Sequence, residues 1–176
     1  MKKVVVFAGS NSVNSINKQL AEYASSLLDN VEVSVLDLND FTLPVYGIDE
    51  ETNNGIPKNA SKFLDEIHSA DGIILSLAEH NGNFSAVFKN TYDWMSRIQQ
   101  KLWNNIPMLL MATSPGARGG SSVLSIAKAG FPYMGGRIVA DFSLPSFSEN
   151  FKDGGLINEE YNDQLKELVN KLKTSL

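Results

Sequence analysis

Three short polar segments carry the residue types that can grip a charged, planar ligand. The first, Gly9-Ser10-Asn11-Ser12-Val13-Asn14-Ser15, runs directly into an apolar-periodic stretch that begins Ile16-Asn17. Free amides at a helix start, with the Ser and Asn side chains of this loop, among them Ser10, Ser12 and Ser15, as neutral donors, suit a phosphate without any side-chain charge. Neither Gly-x-Gly-x-x-Gly nor Gly-x-x-x-x-Gly-Lys-Ser/Thr is present, so a terminal phosphomonoester fits better than a pyrophosphate or triphosphate. A turn that merely caps its helix stays open as the plainer reading. The second segment, Ala78 to Ser85, holds Glu79, His80, Asn81, Gly82 and Phe84. Gly82 permits close backbone approach, Asn81 both donates and accepts, and Phe84 or His80 can cover an aromatic face. His80 reads equally well as a surface histidine, and Glu79 reads as a loop-ordering carboxylate. The third segment, Thr113 to Gly120, contains Ser114, Pro115, Gly116, Arg118 and Gly119. Its amides can face a ring carbonyl, and Arg118 can face a phosphate or a ring edge, or simply be solvated.

The elements around these segments alternate. Residues 4–8 form a short apolar run expected to be a strand buried on both faces. A helix follows from Ile16, with Leu20, Tyr23, Ala24, Leu27 and Leu28 at spacings of three or four, Ser15 as its cap and Asn30 as its stop. Further strands are expected at 31–36, 72–77, 106–112 and 137–140, and helices at 59–68, 86–97, from 121, and around Tyr161 to Leu172. Residues 37–57 are expected as a surface excursion, 78–85 as a loop, and 143–155 as a Pro-, Ser- and Gly-rich connection. Five strands alternating with helices predict a parallel α/β sheet covered on both faces, in the order 2-1-3-4-5. The three polar segments then emerge together beside the point where the winding reverses. Trp94 and Trp103 are expected in the core or at a subunit contact.

Composition narrows the chemistry. A length of 176 residues with 43% hydrophobic content predicts one domain, residues 1–176. No long apolar run or leader is evident, so a cytoplasmic protein without a membrane partner is expected. Fifteen basic against twenty acidic residues give a net charge of −5, which disfavours nucleic acid. There is no cysteine, which removes thiol nucleophiles, disulfides and the usual zinc sites. Two histidines without metal-ligand spacing make a metal site a poor expectation. Redox work must therefore use a bound cofactor.

At the three segments the chain resembles the NADPH-dependent FMN reductase family, a flavodoxin-like group with a three-layer sandwich that includes quinone, azo-dye and chromate reductases. Glu79, Asn81, Lys89, Asn90, Asp93 and Trp94 match Pro-Glu-Tyr-Asn followed by Leu-Lys-Asn-x-x-Asp-Trp. Gly9, Ser10, Ser15 and Asn17 resemble Gly-Ser-x-Arg-x-x-Ser-x-Asn, and Ser114, Gly116, Gly119 and Gly120 resemble Ser-x-Gly-x-x-Gly-Gly. Ser12 stands where the family has Arg, His80 where it has Tyr, and Ala78 and Ser85 where it has Pro. The resemblance implies FMN, with its phosphate on the first segment and its ring framed by the other two. It also implies NADPH or NADH as transient donor, a small acceptor such as a quinone, azo compound, free flavin or metal oxyanion, and a homodimer or homotetramer. Hydride would pass from the nicotinamide to flavin N5 and onward to the acceptor, so no catalytic side chain is named. Two other readings remain: a flavodoxin-type electron carrier, and a non-redox ligand-binding domain on the same fold.

Overall fold

A computed structural model describes residues 1–176. Its order is β1 (Lys2–Gly9), α1 (Ile16–Ser26), β2 (Val31–Val35), α2 (Ile48–Asn54), α3 (Lys58–His68), β3 (Gly72–Leu77), β4 (Glu79–His80) and β5 (Asn83–Phe84). There follow α4 (Ala86–Ile98), β6 (Pro107–Thr113), α5 (Ser121–Gly130), β7 (Arg137–Leu144), α6 (Phe147–Asn150), β8 (Phe151–Lys152), β9 (Gly155–Leu156) and α7 (Glu159–Lys173). The main sheet has five strands in the order β2-β1-β3-β6-β7. All its pairings are parallel. Numbered as main strands, this is the expected 2-1-3-4-5 order.

The central strands are apolar throughout because both faces are covered. Side chains alternate across a strand, so Val5, Phe7, Ile73, Leu75, Met108 and Leu110 pack on the side that carries α3, α4 and α5. Val4, Val6, Ile74, Leu109 and Met111 pack on the other side against α1 and α7. The edge strand β2, half-buried or exposed along its length, shows Val33 and Val35 to solvent. Beneath β5, Phe84, Phe88, Tyr92, Trp103 and Phe131 form one aromatic cluster. Burial pushes the Tyr92 phenol up to about 12. Trp94 and Trp103 are both fully buried, as expected of core residues.

Helix ends follow the cap residues. Ser15 accepts from Lys18 N at the start of α1, and Asn158 accepts from Tyr161 N at the start of α7. Helix α7 carries Glu159 and Glu160 in its first turn and Lys171 and Lys173 in its last, in line with its dipole. Asn30 adopts φ 57, turning the chain into β2.

Four expectations need correction. The excursion at 37–57 contains a 3-10 turn, Leu38–Phe41, and the short helix α2. It is fastened to α4: Asn90 Nδ2 and Trp94 Nε1 donate to the Pro44 carbonyl at 2.9 and 2.8 Å, and Asn90 Oδ1 accepts from Tyr46 N. Glu51 completes the fastening by accepting from Arg97 and from the Tyr46 hydroxyl. The segment 78–85 folds as the β4–β5 hairpin. The fifth main strand extends to Leu144, held by pairing with β6 as far as Thr113. The connection after it contains α6 and the β8–β9 hairpin.

Candidate functional site

The loops after β1, β3 and β6 meet at the carboxyl edge of the sheet, beside the β1/β3 junction where the winding reverses. Buried hydrogen bonds tie them together. Asn17, 3% exposed, accepts through Oδ1 from the Ser76 hydroxyl at 2.7 Å and from Thr113 N at 3.0 Å, while its Nδ2 donates to Thr113 O at 3.1 Å. Ser85, cap of α4, donates to Gly9 O at 2.7 Å and accepts from Phe88 N. Thr113 Oγ1 donates to Leu144 O. The ends of β1, β3, β6 and β7 are thus one fixed frame.

The first loop leaves amides without protein acceptors. Ser12 N donates to Ser10 Oγ, and Ser15 N to Ser12 O. The amides of Asn11, Val13, Asn14, Ile16 and Asn17 have no acceptor within the protein. Helix α1 has no acidic residue in its first turn, so its positive end is uncompensated there. Lys18, the cation of that turn, is engaged with Asp37 at 2.6 Å; its hydrogen bond holds the Asp37 carboxyl below the usual range and raises the ammonium. Ser10 is half-buried, Ser12 exposed, Ser15 buried and Ile16 half-buried. A cavity of about 140 Å³ lies between this loop and the excursion, lined in part by Asn11, Asn39, Phe41, Val87 and Thr91. Two larger cavities, about 250 and 260 Å³, lie away from the strand ends, against α1 with the β8–β9 hairpin and between α1 and α7. They gather no comparable set of amides without protein acceptors.

The second loop is a tight hairpin. Asn81 and Gly82 have φ of 53° and 75°, the geometry of a two-residue hairpin turn. The Asn-Gly dipeptide, read in the sequence only as part of a polar loop, is the signal that could have found that hairpin. Glu79 Oε2 accepts from Val123 N at 2.9 Å, capping α5, whose own cap residue is Gly120 and has no side chain. This is the loop-ordering role expected of Glu79. His80 and Asn81 are exposed. Phe84 is half-buried and stacks at 12° on Phe131, so its ring belongs to the aromatic cluster beneath the hairpin. The other histidine, His68, bonds Leu102 O and lies outside this site.

The third loop needs its glycines. At Gly119, φ 56°, an added Cβ would stand 2.6 Å from Ser143 Oγ and 2.8 Å from the Leu144 backbone; at Gly120, φ 73°, it would stand 2.9 Å from Ala112 Cβ. Ser114 O and Gly116 O accept from Phe147 N and Ser146 N, fixing the loop to the end of β7. Pro115 and Gly116 are exposed. Arg118, also exposed, donates to the Ser122 hydroxyl. Sequence reasoning missed the framing roles of Ser76, Ser85 and Thr113, and the use of Asn90 as a fastener.

A doubly wound parallel sheet with amides that have no protein acceptor at its switch point defines a flavodoxin-like protein with a crevice suited to a phosphate-bearing ligand. The signature of the NADPH-dependent FMN reductases spans residues 2–149, and the chain belongs to that family. A 2-hydroxy-1,4-benzoquinone reductase from Burkholderia sp is 34% identical over 119 residues, covering 66% of this chain and 63% of that protein. A quinone reductase from Escherichia coli K12 is 28% identical, covering 68% of this chain and 63% of its own length. The chain therefore spans less than two thirds of these curated relatives. Among solved structures, FerB, a flavoenzyme NAD(P)H:(acceptor) oxidoreductase from Paracoccus denitrificans, superposes with a TM-score of 0.77 at 24% identity, covering 98% of this chain and 95% of that one. That similarity concerns the fold.

Proposed function

We propose that this chain is an NAD(P)H-dependent reductase that holds FMN and passes reducing equivalents to a small acceptor, of which a quinone is the first choice. The reading rests on family membership and on one feature: the uncompensated start of α1, with five amides that have no protein acceptor and hydroxyl donors around it. Those groups match a phosphomonoester. Ser10, Ser12 and Ser15, with the amides of Ile16 and Asn17, would hold the phosphate. Asn17 would contribute only its backbone, since its amide group is committed to Ser76 and Thr113. Glu79 would act indirectly, by fixing the hairpin. The backbone at His80, Asn81 and Gly82, with the exposed edge of Phe84, would frame one side of the ring. Ser114, Pro115, Gly116 and Gly119, with the backbone of Arg118, would frame the other.

Bound FMN supplies the hydride and electron chemistry; the protein contributes orientation and donors where negative charge develops. No side-chain nucleophile is needed. The proposal takes residues 1–176 as one domain acting in the cytoplasm as a homodimer or homotetramer.

The test is an anaerobic titration of the purified chain with FMN, followed by NADH or NADPH and then a quinone. Tight uptake of FMN, bleaching by the nicotinamide and recovery with the quinone are expected. Ser10→Asp keeps an acceptor for Ser12 N but sets a carboxylate among the amides, and should abolish FMN retention through repulsion in a site of lowered dielectric. Unchanged affinity in that variant would remove the phosphate from this loop. FMN uptake without bleaching by either nicotinamide would make the chain an electron carrier.

A further inference from the structure

Three helices start at the crevice; the start of α4 is capped by the Ser85 hydroxyl, whereas the charges at the starts of α1 and α5 are arranged in opposite ways. The start of α1 has no acidic residue and leaves its amides free. The start of α5 is closed by the Glu79 carboxylate on Val123 N. Across the three loops Glu79 is the sole acid and Arg118 the sole Lys or Arg. Arg118 has no carboxylate partner within 4 Å, whereas Arg97 is paired with Glu51 and Lys18 with Asp37. Its guanidinium is held instead by the Ser122 hydroxyl. Ser122 lies beside Gly82 of the hairpin turn, its Cβ 4.0 Å from where a Cβ on Gly82 would lie. Arg118 is therefore anchored to α5 beside the Asn81-Gly82 turn. The phosphate-type site lies on α1, two main strands away in the order β1-β3-β6.

We infer that the Arg118 side chain, anchored by Ser122 at the hairpin tip, recognises an oxyanion on a transient substrate and is not the counter-charge of the FMN phosphate. This rests on the reading of the crevice as an FMN site. An exposed guanidinium fixed at one nitrogen keeps its remaining N–H groups for a phosphate, carboxylate or sulfonate, which it can grip in a planar fork. Two sources carry that chemistry: the additional 2′-phosphate that separates NADPH from NADH, and an anionic substituent on the acceptor. Ser122 is a positioning residue and acts through Arg118.

The experiment uses the full chain loaded with FMN, as wild type, Arg118→Gln, Arg118→Lys and Ser122→Ala. The ratio of kcat/KM for NADPH over NADH is measured with one neutral quinone. The ratio for a sulfonated over a neutral naphthoquinone is measured with NADH. Arg118→Gln should lower one of these ratios about tenfold, through KM, as expected for loss of a charge-assisted hydrogen bond. Arg118→Lys should restore part of the loss, and Ser122→Ala should give a smaller loss in the same ratio. The ratio that moves identifies the source of the anion. The FMN dissociation constant, read by flavin fluorescence, should stay within about twofold in all variants, since Arg118 is an exposed side chain held on α5 while the phosphate-type site is on α1, and exposed charges contribute little. Two flat ratios, or FMN binding weakened about tenfold by Arg118→Gln, would overturn the assignment. A wild-type chain that takes up no FMN would overturn the underlying reading before any variant is compared.

Discussion

Asn17 sits in the first turn of α1, and its amide joins the ends of β3 and β6 through three hydrogen bonds inside the protein. Asn17→Ala leaves the Thr113 amide and the Ser76 hydroxyl buried without partners, and should cost about 2–3 kcal/mol. A lowered urea midpoint with an unchanged slope checks this; an unchanged midpoint would show that other groups reach those atoms. The sequence pointed to Ser15 and Glu79 through their types and places, and to Asn17 through the family resemblance. It did not tell which atoms face a ligand and which face the protein. That distinction depends on β6 lying two strands from β1, a long-range fact that no local pattern around Asn17 contains. Phe84 shows the same limit: the pattern marks it as an aromatic in a polar loop, but its stacking on Phe131 depends on a segment almost fifty residues away.

At the scale of elements, the fastening of the excursion to α4 gives the Leu-Lys-Asn-x-x-Asp-Trp-like stretch a mechanical role in this chain. Lys89 and Asp93 pair along the helix at 2.7 Å, whereas Asn90 and Trp94 reach across to Pro44. Trp94→Phe keeps an aromatic ring but removes the rest of the buried indole and one of two donors to that carbonyl. It should cost about 2–3 kcal/mol and speed amide exchange in α2 and the residues before it, leaving β3 and β6 unchanged. Uniform acceleration across the sheet would instead mean that the indole matters through packing alone. Element boundaries were legible where periodicity and caps agreed. Residues 72–77 match β3, and Ser15 opens α1 as expected. They were not legible where pairing decides: the last four residues of β7 are strand because β6 runs alongside them. Helix α2 buries none of its residues, so it has no apolar stripe to betray it.

For the whole molecule, acid stability follows from carboxylates that are better stabilised folded than unfolded. The hydrogen bond from Lys18 lowers Asp37, that from Arg97 lowers Glu51, and that from Lys2 lowers Asp71. Lowered folded values mean that the unfolded chain takes up protons first as pH falls. The stabilisation is complete above the unfolded carboxylate range, about pH 4, and is lost as pH drops through the folded values. Urea midpoints should therefore be flat from pH 7 to 5 and fall from pH 4 to 3, with a shallower fall in Asp37→Asn. An equal fall in that variant would assign the acid sensitivity elsewhere. No helix of the chain is long and apolar enough to cross a membrane. The strand order also bears on how the crevice is made during synthesis. Two of its three walls are translated by residue 85, yet the amide of Asn17 finds its backbone partner only once Thr113 has left the ribosome. Capture of a cofactor would thus follow the synthesis of β6, and a nascent chain stalled before β6 would carry the first loop without the frame that holds it.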